Sequence, residues 1–172
     1  MAVRLQNLTI GALAGAAATV PMSAVMLASQ GAGVMDEQPP ERITEEVLDR
    51  ADIHPSKPVK KQLTVLSHLG FGAAAGGLYA MLRRGQPPLS TEIPVAIGYG
   101  LGVWFVSYEG WVPALGFMPP SHKAGVGRPV TMATAHVVFG ACLALATRGI
   151  TRGAFREGRS SKRRARTRRR RG

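Results

Sequence analysis

The chain has 172 residues, a net charge of +12 and 45% hydrophobic residues. Residues 148–172 contain twelve of its 22 Lys and Arg residues and a single acid, so an apolar body of nearly balanced charge precedes a very basic end. Cys142 is the only cysteine, which excludes an intrachain disulfide and a cysteine metal cluster. The length suits one compact domain.

Long stretches of the body carry almost no charged residues. A helix needs about 20 mostly apolar residues to cross the hydrocarbon core of a bilayer. The sequence therefore predicts four membrane-spanning helices, at about residues 7–28, 62–82, 93–113 and 129–148. Two alternatives remain open. The first run could be a cleavable signal peptide. The body could also be a soluble Gly- and Ala-rich domain, although soluble helices normally show a polar face.

A shorter helix is predicted between the first two spans, at about residues 40–53. Pro39 and Pro40 with acids on either side form a helix start signal. Apolar residues then fall on one face of the helix and charged residues on the other. Such a helix would lie on the outer membrane surface or cap the bundle, or would be a solvated loop helix.

The connection between the third and fourth spans cannot be a regular helix, because it contains Pro113, Gly116, Pro119 and Pro120. Irregular backbone is not tolerated against lipid. We therefore expect this connection to lie outside the membrane or to fold back against the helices.

The basic end, residues 148–172, is predicted to be a disordered cytoplasmic tail, since it has no apolar periodicity and repels itself. With an even number of spans both termini lie on one side, and the excess of basic residues indicates the cytoplasm. Anionic lipid head groups would attract the tail. Nonspecific binding to nucleic acid is the alternative. The predicted lipid contacts are Arg163, Arg164, Arg166, Arg168, Arg169, Arg170 and Arg171.

A sequence pattern occurs twice within the spans. H-x-x-F-G-A begins at His68 and again at His136, and each copy follows an I-G-x-x-x-G that begins at Ile10 or Ile97. The recurrence predicts two similar helical hairpins related by an axis along the membrane normal. Small residues four apart let helices approach closely in lipid. The predicted packing glycines are Gly11, Gly15, Gly72, Gly76, Gly98, Gly102 and Gly140.

Three ionisable residues are predicted to share one layer of the bundle. Counting 1.5 Å per residue, His68, His136 and Glu109 all lie about 10 Å below its outer end. Ionisable groups at this depth are costly and suggest a function. Four interpretations remain open: hydrogen bonding between helices, a proton or ion relay, ligation of a haem iron by both histidines, and a zinc site completed by Glu109. No bound metal or cofactor is expected.

Several short motifs carry a resemblance to a known family. The chain resembles small bacterial inner-membrane proteins of the YagU type over roughly residues 8–147. The resemblance implies a multi-pass inner-membrane protein without an established activity, so no catalytic residue is carried over. The matching motifs are Val20-Pro21, Pro39-Pro40-Glu41-Arg42, His68 with Phe71 and Tyr79, Pro113-Ala114-Leu115-Gly116 with Pro119-Pro120, and His136 with Gly140.

Taken together, the sequence predicts an all-α, four-span inner-membrane bundle with a basic tail. The favoured function is a noncatalytic envelope or assembly module, in contact with the lipid bilayer and with a second copy or another membrane protein. The alternatives are a proton- or ion-coupled transporter or channel subunit that uses the histidine layer, a haem-binding redox subunit, and a soluble nucleic-acid binder.

Overall fold

A computed structural model describes the backbone of residues 2–83, 85–120, 123 and 125–171, and the side chains within 4–83, 85–120, 123 and 125–154. Every regular element in this part of the chain is helical. The helices are α1 (Ala2–Gly31), α2 (Pro39–Arg50), α3 (Lys57–Leu82), α4 (Leu89–Trp104), a π-helical segment (Phe105–Trp111), α5 (Val112–Ala114) and α6 (Gly127–Arg171).

Four helical stretches are long and apolar enough to cross a membrane. They are Arg4–Gly31, Lys57–Leu82, Leu89–Ala114 and Gly127–Ala154. Each contains one of the four predicted spans and extends beyond it at one or both ends. The extensions carry charged residues, which end an apolar run of sequence without interrupting the backbone hydrogen bonds of the helix.

The predicted end of the short helix after the first span and the predicted start of the disordered tail both differ from the structure. Helix α2 ends at Arg50, because Asp52 takes a left-handed φ of 55°, which stops the helix before residue 53. Residues 148–154, assigned above to a disordered tail, continue helix α6, and its backbone is helical to Arg171. The side chains of the tail arginines lie outside the described part, so their contact with lipid stays a prediction.

The long helices pack in the order α3, α1, α6, α4. Helix α1 lies along both α3 and α6, and α4 lies along α6, whereas α3 and α4 meet at few points. One of these is the Tyr99 hydroxyl, which donates a hydrogen bond to the Ala75 carbonyl at 2.6 Å. The ring of Tyr99 also lies 5.2 Å from that of Tyr79. The packing therefore leaves one side open, between α3 and α4.

Helices α1 and α3 cross with their backbones in contact. A Cβ atom added to Gly76 would lie 2.6 Å from the Cα of Gly15, and one added to Gly15 would lie 2.8 Å from the Cα of Gly76. Gly11 and Gly72 have equally close neighbours across the same crossing. The small residues in these two helices thus meet each other directly.

Helices α4 and α6 also cross closely, but through glycines other than those predicted in α4. A Cβ on Gly140 would lie 2.7 Å from the Cα of Ile97, and one on Gly100 would lie 2.5 Å from the His136 carbonyl oxygen. Gly98 and Gly102 have open space instead. Two positions along an α-helix are about 200° apart, so these glycines lie on the face opposite α6. The repeated I-G-x-x-x-G therefore does not mark the same contact in both halves.

The connection after α5 folds back against the α2 end of the molecule. Arg50 donates a hydrogen bond from Nη1 to the Leu115 carbonyl at 2.9 Å, and its guanidinium lies 4.7 Å from the ring centroid of Phe117. At the opposite end, Arg148 donates a hydrogen bond to the Pro87 carbonyl at 2.9 Å and so ties α6 to the loop between α3 and α4.

Candidate functional site

A cavity of about 230 Å³ lies among α1, α3, the π-helical segment and α6, and α2 covers it. We call it the histidine cavity. Its wall is mostly apolar, and α2 contributes Pro39, Pro40 and Ile43. The lining residues with polar side-chain groups include Ser67, His68, Ser107, Tyr108 and His136.

The two repeated histidines face the same internal space. Besides the cavity itself, both line a smaller space of about 20 Å³ next to it. His136 is 5% exposed, and its Nδ1 lies 2.8 Å from the Met132 carbonyl oxygen. Since a carbonyl only accepts, Nδ1 carries the proton, and Nε2 is left as an acceptor in the neutral ring. His68 is held less firmly, with Nδ1 3.5 Å from the Ser23 hydroxyl.

The serine hydroxyls at the cavity are engaged by their own helices. Ser67 donates to the Thr64 carbonyl at 3.0 Å, and Ser107 donates to the Val103 carbonyl at 2.6 Å. Neither hydroxyl donates its proton to an imidazole, as an activated nucleophile would. The protons of both serine hydroxyls are therefore taken up within α3 and the helix that contains Ser107.

The Tyr108 hydroxyl is a polar group of the cavity that needs a partner. Tyr108 is 4% exposed, and its hydroxyl makes no hydrogen bond to any residue that the structure describes. The guanidinium of Arg128 is a neighbouring donor whose contact with the Tyr108 oxygen falls short of normal hydrogen-bond geometry, and because arginine only donates, the Tyr108 proton still has no acceptor among the described residues. A buried hydroxyl without a partner loses free energy, so this group is available to a ligand or a water molecule.

Glu109 does not line the histidine cavity, although it follows Tyr108, which does, and therefore lies at a similar depth along the helix. One carboxylate oxygen of Glu109 is buried without a hydrogen bond to a described residue. Adjacent residues of a helix project in clearly different directions. Among the described residues no three His, Cys, Asp or Glu side chains are grouped so as to hold a metal ion.

Helix α2 is held over the cavity by polar contacts to α3. Lys60 donates a hydrogen bond from Nζ to the Glu45 carboxylate, and the hydroxyls of Thr44 and Ser67 lie 3.3 Å apart. The hydrogen bond from Lys60 lowers the pKa of Glu45 below its usual value. This ion pair therefore stabilises the covered cavity only while Glu45 is ionised.

This contact predicts a dependence of stability on pH. A lowered pKa in the folded state stabilises the protein above the pKa of the unfolded chain, about 4.3, and the gain is lost as the pH falls through the lower, folded value. We expect Glu45→Gln to lower the midpoint of thermal unfolding at pH 7, and the difference from wild type to shrink as the pH falls below about 4.3 and to vanish below the lowered pKa of the folded state. Unfolding scans of both proteins between pH 3 and 7 measure the difference. A difference that stays constant across this range would contradict the assignment.

A second polar cluster lies at the opposite end of the helices. Glu92, in the first turn of α4, is only 1% exposed. Its Oε1 lies 2.6 Å from Nη2 of Arg83, and its Oε2 lies 3.5 Å from Nη1 of Arg148. The first contact is a close ion pair in which the N–H bonds do not point at the carboxylate. We call these three residues the Glu92 cluster.

Sequence reasoning did not identify the Glu92 cluster. The predicted span began at residue 93, so Glu92 fell just outside it. The sequence does contain a feature that could have indicated the cluster. Glu92 is the only acid between Asp52 and Glu109, and it follows a short loop that begins with Arg83. An acid this isolated in an apolar region is expected to have a basic partner.

Comparison with known proteins gives one match. A family model described as "Family of unknown function (DUF6789)" matches residues 5–154. No curated protein and no solved structure matches the chain. The matched range includes the four long apolar helices, the histidine cavity and the Glu92 cluster. Because this match covers most of the chain, the chain belongs to the DUF6789 family, whose function is unknown.

Proposed function

We propose that the protein is a noncatalytic, multi-pass protein of the bacterial inner membrane that binds a small, mostly apolar molecule in the histidine cavity. It would act as an envelope or assembly module whose state depends on that ligand. The resemblance to the YagU type agrees with this placement. It stays a prediction, because the family that matches has a different description.

The membrane placement is supported by the outer surfaces of the helices. Each of the four long helices exposes large apolar side chains, among them Leu27, Leu66, Val95 and Leu145. Exposed apolar surface on this scale is costly in water and suits contact with acyl chains. The basic tail and Arg83 lie at the same end of the helices, which favours a cytoplasmic location for both termini.

The observation that carries the binding role is the combination of an apolar cavity with unpartnered polar groups. The volume of about 230 Å³ is below the range of about 300–1,000 Å³ usual for drug-sized ligands, so the molecule would be small. The Tyr108 hydroxyl can donate a hydrogen bond to it and His136 Nε2 can accept one. A noncatalytic role is supported by the hydrogen bonds that engage the hydroxyls of Ser67 and Ser107.

Mass spectrometry of the full chain, purified in mild detergent, tests this proposal. We expect the wild-type protein to carry a small molecule that is reduced roughly tenfold in the double variant Tyr108→Phe, His136→Gln, because two hydrogen bonds are lost. Tyr79→Phe is the matched control, since Tyr79 is equally buried but lies outside the cavity. A wild-type sample without any such molecule, or an unchanged level in the double variant, would refute the binding role.

A second candidate function is a proton or ion relay through the same cavity, favoured by the two imidazoles that face one space. Such a relay would use His68 and His136 without Glu109. Proton flux into liposomes that continues unchanged after both histidines are replaced by alanine would argue against it. Haem ligation by the same imidazoles would appear as Soret absorbance in the purified sample.

A further inference from the structure

The open side of the molecule contains a long groove between α3 and α4. Near the Glu92 cluster a space of about 310 Å³ is lined by Arg83, Glu92 and Tyr99. A second space, of about 500 Å³, continues from Tyr99 toward Phe71 and Trp111 and is almost entirely apolar. Tyr99 lines both spaces, and we call them together the α3–α4 groove.

One end of the groove has unsatisfied positive charge. Two guanidinium groups, those of Arg83 and Arg148, share the single carboxylate of Glu92, so the cluster has one positive charge in excess. The Nε atoms of both arginines are buried and make no hydrogen bond to a described residue, and the two carboxylate oxygens of Glu92 accept none either, so Glu92 does not take up the arginine N–H donors. Each guanidinium has five N–H donors, and donors buried without acceptors are costly. The cluster is therefore suited to an additional anionic acceptor.

The length of the groove matches one leaflet of a bilayer. Arg83 follows Phe71 by twelve positions, and at 1.5 Å per residue this distance is about 18 Å along α3. The hydrocarbon of a single leaflet is about 15 Å thick, half of the full core. An acyl chain that starts at the arginines would thus extend along the apolar part of the groove.

We propose that the α3–α4 groove binds one anionic phospholipid, whose phosphate accepts hydrogen bonds from Arg83 beside Glu92 and whose acyl chain lies against Leu78, Tyr99 and Val103. Arginine is the side chain best suited to phosphate, because its planar fork donates two parallel hydrogen bonds. An anion at one end and an apolar channel leading away from it together describe an amphiphile. The site is distinct from the tail, and it rests on the membrane placement proposed above.

The apolar half of the site is tested by filling the groove. Gly102 lines the groove and has open space around it, so Gly102→Leu would occupy the position of the acyl chain without a clash in the fold. Gly98 lies on the same helix with equally open surroundings but does not line the groove, so Gly98→Leu is the matched control.

The full chain in detergent is incubated with equal amounts of phosphatidylglycerol and phosphatidylcholine of identical acyl chains, and retained lipid is counted by native mass spectrometry. We expect one phosphatidylglycerol per chain, retained roughly tenfold over phosphatidylcholine, a factor typical of charge-assisted hydrogen bonds. Gly102→Leu should lower retention of both lipids about tenfold, whereas Gly98→Leu should leave it unchanged. Equal retention by the two glycine variants would overturn the proposal.

The charged half is tested by Arg83→Gln, which removes the donor and the excess positive charge and leaves Glu92 paired with Arg148. We expect the preference for phosphatidylglycerol to disappear. Arg152→Gln is the control, since Arg152 is exposed on α6 outside the cluster. A preference that survives Arg83→Gln would overturn the assignment of the phosphate to the groove and assign lipid binding to the basic tail instead.

Failure of this inference is separable from failure of the proposed function. Retention of the protein in carbonate-washed membranes tests the membrane placement without any lipid assay. A protein that resists carbonate extraction but shows no selective phosphatidylglycerol would overturn only the lipid site. A protein released by carbonate would overturn the membrane placement, and the lipid site with it.

Discussion

Replacing Glu92 with alanine should be the most destabilising single change in this protein, with a loss of about 3–5 kcal/mol in the free energy of unfolding. The substitution leaves Arg83 and Arg148, whose side chains are only 11% and 21% exposed, without a counter-charge. An uncompensated charge removed from water is among the costliest features of a fold. The unfolding midpoint in detergent, followed by tryptophan fluorescence, measures the loss.

Glu46→Ala is the matched control for this prediction. It breaks the pair between Arg50 and Glu46, which lie 2.9 Å apart, with exposed fractions of 48% and 28%. An ion pair this exposed contributes at most about 1 kcal/mol, since water and salt screen it. Losses of similar size for the two variants would show that the burial of the Glu92 cluster does not matter to stability.

Gly76→Ala is expected to destabilise the crossing of α1 and α3. The added Cβ would lie 2.6 Å from the Cα of Gly15, and because the obstacle is backbone, no side chain can rotate away. The two helices must separate, at a cost of about 1–3 kcal/mol or more. Unfolding titrations of the variant in mixed detergent would report this loss.

Gly70→Ala gives the opposite expectation on the same helix. Gly70 is exposed, and a Cβ there meets no other atom within 4 Å. Alanine should therefore stabilise α3 by about 0.5–1 kcal/mol through its greater helix propensity. Both variants replace one glycine of α3 by alanine, so they differ only in the position of the added methyl group. A change of the same sign in the free energy of unfolding of both would mean that the helices do not cross at Gly76.

The positions of the long helices could be predicted from the sequence with little error. Each predicted span lies inside a helix that is long and apolar enough to cross a membrane. Hydropathy and length are properties of consecutive residues, so no knowledge of neighbouring helices was required. The exact ends were harder to predict, as at α2, where the left-handed backbone of Asp52 shortens the helix by about one turn.

The faces of the helices were predicted less well. The repeated motif indicated close packing at Gly98 and Gly102, but Gly100 occupies the crossing with α6. A spacing of four residues shows that two glycines share a face of the helix. It does not show which neighbouring helix that face meets, since the rotation of a helix is decided by packing along its whole length.

At the candidate site, depth along the helices was easier to predict than the direction in which each side chain projects. His68, His136 and Tyr108 line one cavity, whereas Glu109 is not among its lining residues. Counting residues predicts depth along a helix, because the rise per residue is constant. The π-helical segment at Phe105–Trp111 changes the direction in which later residues project, and such segments leave little signal in a single sequence.

Hydropathy and length were enough to predict four long apolar helices and where each begins to within about five residues, although the end of α6 was predicted more than twenty residues too early. The tertiary structure alone decided that Glu92 is buried between Arg83 and Arg148, that α2 covers a cavity with two imidazoles, and that a groove stays open between α3 and α4. The reason is physical. Hydrophobicity and helix propensity act between residues close in the chain, whereas burial and charge pairing depend on residues that come from distant segments, such as Glu92 and Arg148.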